Sequence, residues 1–413
     1  MSKTSEQPFA GIRICDLSFF WAGPYCTAYF GALGAEVIKV ESIQRPDSFR
    51  FGALVTDLYW EANAQWNSTN INKYGLTLDL TNPRGIELFK LLVKVSDVVI
   101  ENFAPRVMHN FKLTYPVLKE IKQDIIMVSM PGYGMSGPWQ DYIGFGLAFE
   151  QSSGIAHISG YPDGSPLALG GAADPIAGMH AAFAIQAALE YRRRTGKGQF
   201  IDISQTEVLT NFMGPAVIDY CLNGRVWGRM GNQDPVMAPH GVYPCKGTDM
   251  WVAIAVSSDE QWKAFCKAIG KPKLAEDERF ASLNDRWANQ EALNRLIGEW
   301  TIEREPYEAM AILQKAGIAA GAVNIPDSMH DEPHLKERGF FQEMTRDIIG
   351  TQLFNTWPVR FSRTAVTMRP APKLGEHNDY VLGTVLGLSK AEIEELENSK
   401  IIGNSPLAMR RGI

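Results

Sequence analysis

At 413 residues the chain is long enough for two or three domains around a sizeable core, and with 45% hydrophobic and 21% charged residues it has the make-up of a soluble globular protein. A net charge of −6 argues against nucleic acid or an anionic membrane as its partner. The five cysteines (Cys15, Cys26, Cys221, Cys245, Cys266) form no CxxC pair and the seven histidines no HxxxH or HExxH spacing, so a cytoplasmic protein without a metal site is expected.

The first residues, MSKTSEQPFAG, hold no apolar core and do not read as a secretory leader. Ile12 to Leu17 reads as a buried strand, followed by Phe19, Phe20, Trp21 and Ala22-Gly23-Pro24, then a helix to Leu33 and a second strand at Glu36 to Val40. That β-α-β unit implies a right-handed crossover and a parallel sheet, with ligands beyond the carboxyl ends of its strands. Residues 42–70 read as irregular. Further strands are expected at Leu76 to Leu80, Asp97 to Glu101 and Asp124 to Met130, with a helix from Asn82 through Val95 and a helix-like segment ending at Phe111. The repetition predicts a doubly wound α/β domain.

Gly132-Tyr133-Gly134-Met135-Ser136-Gly137 has the GxGxxG spacing of a dinucleotide-binding turn, but Pro138, Trp139, Gln140 and Asp141 follow without helical periodicity. A flexible loop is the better reading. The stretch Leu167 to Asp202 is the most informative part of the chain. Gly170, Gly171, Ala172 and Ala173 lead to Asp174, Pro175 opens a helix, Arg192, Arg193 and Arg194 close it, and a strand follows at Gln199 to Ile203. Its low-polarity run, Pro175 to Leu189, is too short to span a bilayer. Asp174 before a proline reads first as an ordinary N-cap; the uncharged, glycine-bearing approach leaves open a carboxylate free to react.

Gln205 to Tyr220 reads as one packed helix and residues 221–237 as a linker. A smaller α+β body then begins with a hairpin around Lys246-Gly247-Thr248-Asp249. Helices at Asp259 to Ile269, Gln290 to Trp300 and Pro306 to Ala316 and a strand at Ala319 to Val323 follow. In the tail, strands are expected at Ile348 to Phe354 and Val359 to Phe361, and a helix at Lys390 to Asn398. The expected organisation is residues 1–225 in a large domain, 226–344 in the small one, and 345–413 returning to the large one.

Several of these segments together carry a resemblance. They are Ala22-Gly23-Pro24, residues 34–41 (GAEVIKVE), Asn72-Lys73 with Leu78-Asp79-Leu80, Glu101-Asn102-Phe103, Asp174, residues 195–199 (TGKGQ) and Gly375-Glu376-His377. In this order they resemble the class III CoA-transferases, a family that includes formyl-CoA, carnitine and arylsuccinate types and an acyl-CoA racemase branch. The resemblance implies an interlocked homodimer of two-domain subunits, with coenzyme A carried as acyl-CoA and no metal. The partners it implies are an acyl-CoA donor and a carboxylic acid acceptor, and a hetero-oligomer with a related subunit is a variant of the same scheme. It assigns Asp174 as a nucleophile that passes through a mixed anhydride and an aspartyl-CoA thioester. Contacts to CoA are implied near Phe20, Trp21, Ala22, Leu76, Asn102, Phe103 and Val107.

The CoA phosphates need cations, for which Arg45, Lys73 and Arg106 are candidates. Asn110 stands where some members of the family carry a phosphate-binding arginine. Phe145 stands where the racemase branch has a histidine, with the next histidine only at His157, and a racemase needs two bases. The racemase reading, and that of a non-catalytic nucleotide or acyl-CoA binder, are therefore the alternatives. Phe19, Phe145 and Phe149, with Phe20 and Trp21, point to an apolar or aromatic, arylsuccinate-like acyl pocket. His240, in Ala238-Pro239-His240-Gly241, reads first as a structural residue and, on the sharper reading, as a candidate for acceptor binding.

Overall fold

The computed structural model of the protein describes residues 7–52 and 58–407. Its framework is a six-stranded sheet of β1 (Arg13–Asp16), β2 (Glu36–Glu41), β3 (Lys73–Thr77), β4 (Val98–Glu101), β5 (Ile126–Ser129) and β6 (Phe200–Asp202). Every neighbouring pair is parallel, in the order β3-β2-β1-β4-β5-β6. Strands buried on both faces need apolar residues at odd and even positions alike, which Ile14-Cys15, Val37-Ile38 and Val98-Val99-Ile100 supply.

The alternation divides two cores. On one face Ile14, Val37, Val98 and Ile100 meet a first helix, Ala22–Ala32, and a long helix, Ala173–Thr195, through Cys26, Phe30, Ala177, Ala181 and Ile185. On the other, Cys15, Ile38 and Val99 meet the helix Pro83–Lys94, which Asn82 caps through Arg84 N–H, and the C-terminal helix Lys390–Asn398. The doubly wound α/β class expected from the sequence is the one observed.

Individual boundaries differ from expectation for local reasons. β3 begins at Lys73 rather than Leu76, because Asn72 and Gly75 are tied to the returning C-terminal chain: Asn72 N–H donates to Arg369 O and Gly75 N–H to His377 Nδ1. The helix expected over 205–220 is two helices, Gln205–Asn211 and Gly214–Asn223, broken where Gly214-Pro215 removes an amide. The second of these buries no residue, so it is not packed as expected. A helix at Tyr115–Ile121, with Pro116 in its first turn, was not legible in the sequence. In the tail the strands are β10 (Phe341–Arg346) and β11 (Gly350–Asn355), paired as a hairpin, and 359–361 form no strand.

The chain divides into two units. The large one contains the described residues up to Ala156, Ala168–Arg225, and those from His334 onward; the small one contains His157–Leu167 and Val226–Pro333. The return to the large unit thus begins at His334 instead of 345. Residues 341–344 go with it through β10, which pairs with β11 and whose Arg346 is buried and bonds Glu61 and the side chain of Asn67 (3.0 Å). Within the small unit, Arg229 donates to the carbonyls of Tyr161 and His157, each at 3.2 Å, and Gly231 N–H to Gly160 O at 2.8 Å, which ties 157–167 to that body. Its sheet of β7 (His240–Pro244), β8 (Trp251–Ala255) and β9 (Ala319–Ala322) is antiparallel and packs on helices through Trp262, Phe265, Leu293 and Leu313. This is an α+β body. No helix among the described residues is long and apolar enough to cross a membrane, and no group of three or more His, Cys, Asp or Glu among them could hold a metal ion.

Candidate active site

β1 and β4 are neighbours, and the strand order reverses between them, so the chain leaves these two strands in diverging directions and opens a crevice at their carboxyl ends. The segment leaving β1 is Ser18-Phe19-Phe20-Trp21. Phe20 lies at φ 63, a left-handed conformation that a bulky residue adopts only when its surroundings force it. Those surroundings are explicit. Asn102, just past β4, accepts Phe19 N–H at 2.8 Å and donates to Phe19 O at 2.7 Å. Asp47 accepts Phe20 N–H at 3.1 Å, and Lys39 donates to Asp47 at 3.0 Å and to Ser18 O. Asp16 accepts Ser18 N–H at 3.0 Å, Thr27 Oγ1 at 2.6 Å and Lys73 Nζ at 2.9 Å.

Lys39, Asp47 and Asp16 are fully buried and Lys73 nearly so; each charge is matched, as burial demands. Burial works to raise the Asp16 pKa, but Lys73 and Lys39 outweigh it and hold it at about 2. The net effect of this cluster is a rigid turn that starts the first helix at a fixed place. The first βα loop, with aromatics where a dinucleotide-binding turn needs glycines, leaves no such fingerprint there.

The first and long helices approach closely because small residues line their contact: a Cβ on Gly178 would lie 2.5 Å from Ala22 O. One turn before Gly178 stands Asp174, whose carboxylate faces the Ala22 backbone amide at the start of the first helix. Its other neighbour is Gly146, where a Cβ would fall 2.3 Å from Asp174 Oδ2. Burial, reinforced by the charge of Glu150 and opposed by the Ala22 amide, pushes the Asp174 pKa up to about 6.

Asp174 is not the N-cap that its sequence context allowed. The long helix starts at Ala173, so Asp174 is its second residue, and the N-cap, Ala172, makes no side-chain bond. The amides at this end belong instead to Glu150, on the short helix Gly146–Ser152. Its carboxylate accepts Leu169 N–H at 2.7 Å, Gly171 N–H at 2.9 Å and Ala173 N–H at 3.4 Å. Gly170 (φ 78) and Gly171 (φ 94) permit that wrap.

The other expected residues fall into three groups. Trp21 packs its ring edge about Gly171, and Phe20 meets Phe145 edge-on at 5.2 Å, so these aromatics stand around Asp174. Phe19 turns away to Phe103, at 5.4 Å, with Asn102 acting on the backbone between them. Arg45, Arg106 and Val107 follow the carboxyl ends of β2 and β4, with both arginines exposed. Three expectations need correction. Lys73 is not free for a phosphate, since Asp16, Pro24 O and Asn70, all at 2.9 Å, use its three N–H groups. Leu76 is a core residue of the sheet, and Phe149 is buried against Ala173 and Leu209, so neither side chain lines a pocket. His240 lies at the start of β7 in the small unit, with Nδ1 2.6 Å from Asn232 O. Residues 131–142, containing the GYGMSG stretch, form turns without a helix.

Sequence reasoning missed Glu150, Gly146, Lys39 and Asp47. A lone acid inside the otherwise uncharged run 143–153 was the one available signal for Glu150; Lys39 stands inside the resemblance segment 34–41 without a role assigned to it, and Asp47 carries no signal.

The sheet order, the crevice between β1 and β4 and an uncompensated carboxylate facing backbone amides define a doubly wound α/β protein with an acid side chain at its ligand edge. CoA-transferase family III matches residues 9–378, and the chain belongs to that family. It is accordingly a transferase with CoA thioesters as substrates. It is 34% identical to a probable CoA-transferase of Mycobacterium tuberculosis over 97% of this chain, which spans 51%, about half, of that relative. It is 30% identical to a succinyl-CoA–D-citramalate CoA-transferase of Chloroflexus aurantiacus, over 97% of this chain and 100% of that one. Among solved structures, a CaiB/BaiF family protein from Brucella suis superposes with a TM-score of 0.84 at 32% identity, covering 92% of this chain and 99% of that chain.

Proposed function

We propose that the protein moves CoA from an acyl-CoA to a free carboxylic acid with Asp174 as the covalent carrier. The carboxylate attacks the thioester carbonyl and CoA thiolate leaves, giving an acyl-aspartyl anhydride. The thiolate then attacks the aspartyl carbonyl and the donor acid departs, leaving an aspartyl-CoA thioester. The acceptor carboxylate attacks that thioester, and the thiolate finally takes the acceptor's acyl group and regenerates Asp174. A carboxylate is a weak nucleophile and an anhydride hydrolyses when wet, so alignment and exclusion of water carry the rate.

One observation carries this reading: Asp174 sits with a raised pKa between a helix-terminal amide and a glycine, where a structural carboxylate would have a cation or a cap. The Ala22 amide and the helix end behind it suit the oxyanions of the tetrahedral intermediates. Arg45 and Arg106, exposed beyond β2 and β4, suit the CoA phosphates. Phe20, Trp21 and Phe145 support an aromatic or apolar acyl group of the arylsuccinate kind. The C. aurantiacus relative, named for succinyl-CoA and D-citramalate, favours a dicarboxylic acid, and an aryl-substituted succinate satisfies both.

Incubating the protein with an acyl-CoA and trapping with hydroxylamine should place the modification on Asp174 by peptide mass. A modification elsewhere, or none with exchange intact, overturns the reading. An acceptor panel running from succinate to aryl-substituted succinates tests the pocket.

The interlocked homodimer, or a pairing with a related subunit, remains part of the proposal. Its support is the bare helix Gly214–Asn223, which exposes Val217, Ile218, Tyr220 and Leu222, together with the exposed Met179 and Phe183 of the long helix. The free cysteines support a cytoplasmic setting.

A further inference from the structure

Glu150 is fully buried, and among the described residues its partners are backbone amides, with no cation. A carboxylate in that position must have its charge met by the donors it faces. Here they are the amides of every second residue from Leu169 to Ala173, curled round it by two left-handed glycines, with the amino end of a 23-residue helix behind them. Of these, Ala173 carries one of the orphan donors of the long helix, and Leu169 and Gly171 belong to the loop that leads into it.

The short helix completes the geometry. Gly146 and Glu150 are four residues apart, hence on one face of it. Gly146 leaves the space that the Asp174 oxygen occupies, and Glu150 grips the loop that delivers Asp174. One rigid turn therefore sets both the room for the carboxylate and the path of the chain that bears it.

We propose that Glu150 is a positioning residue for the transfer: it holds the loop amides and the first amide of the long helix and so keeps the Asp174 carboxylate turned to the thioester. This rests on Asp174 being the nucleophile. Without Glu150 the loop amides lose their acceptor, and Asp174, the second residue of the helix, is the nearest carboxylate to replace it. Glu150 is also the charged side chain facing Asp174 from the short helix. The first helix presents the Ala22 amide, and the 169–173 approach is uncharged. Its field thus adds to burial in keeping Asp174 protonated to higher pH.

The test uses the full-length Glu150→Gln and Glu150→Asp variants beside Asp174→Asn. Glu150→Gln turns an NH2 toward amide donors; kcat should fall by about 100-fold, as expected for a misplaced reacting group, with KM for acyl-CoA little changed. The acid limb of kcat/KM, and the 13C titration of the Asp174 carboxyl read without turnover, should both move to lower pH. Glu150→Asp keeps the charge on a shorter stem, so kcat should fall while the acid limb stays in place. A Glu150→Gln protein with unchanged kcat, or one that loses kcat with its acid limb and Asp174 titration unmoved, overturns the proposal. Should Glu150→Gln fail to fold, unaltered kcat in Glu150→Asp overturns it and a loss with the acid limb in place supports it. Full exchange by Asp174→Asn would instead sink the reading of Asp174 itself.

Discussion

Two sets of carboxylates lie within the same crevice, and the protein treats them oppositely. Under the turn that leaves β1, Asp16 and Asp47 are buried and each is bound to a lysine, Lys73 and Lys39, at 2.9 and 3.0 Å. At the start of the long helix, Asp174 is less deeply buried, yet the charge nearest it is negative. The first set fixes a strained backbone and has no charge left to offer. The second is held by geometry alone, with its negative charge uncompensated and available. Partner chemistry, more than burial, separates a structural acid from a reactive one.

The comparison breaks most visibly at Asp174. Asp174→Asn should lower CoA exchange by on the order of 10^4 or more, measured as label transfer between acyl-CoA and acceptor acid. Asp47→Ala strands the buried Lys39 ammonium and frees Phe20; it should lower unfolding stability by about 3–5 kcal/mol, read by denaturant melts. Gly146→Ala pushes a methyl into Asp174 Oδ2, so kcat should fall about 100-fold with a near-normal melt.

The opposite sign is expected when Asp174 loses its charge. Its folded pKa, about 6, lies above the ordinary value of 3.8, so the folded state binds the extra proton between them. Stability from this group is therefore present at low pH and is lost as pH rises from about 4 through 6. At pH 7 Asp174→Asn should stabilise by on the order of 1–3 kcal/mol, whereas at pH 3 the gain should vanish. The wild-type rate should fall below about pH 6 as Asp174 protonates. The smallest effect belongs to the exposed arginines: Arg106→Ala should raise KM for acyl-CoA several-fold, with kcat and stability unchanged.

The α/β class and most of the strands were legible in the sequence because they rest on local patterns: apolar runs four to six residues long, Pro83 after Asn82, and Gly196 after three arginines. Asp174 was legible as a residue of interest, but its neighbours along the chain served a cap as well as a nucleophile. What decided between them lay elsewhere: Glu150, 24 positions earlier, took the amides of the approach, and Ala22, some 150 residues away, turned its backbone amide to the carboxylate. The sequence could not tell that Lys73 was spent on Asp16 or that Phe149 was core, since a side chain's partners depend on which strands become neighbours. By itself the sequence determined most of the elements and the family, because spacing and turn chemistry act over a few residues. The tertiary structure alone decided which charges are neutralised and which carboxylate is left exposed to chemistry, because desolvation and Coulomb energy depend on distance in space and not on distance along the chain.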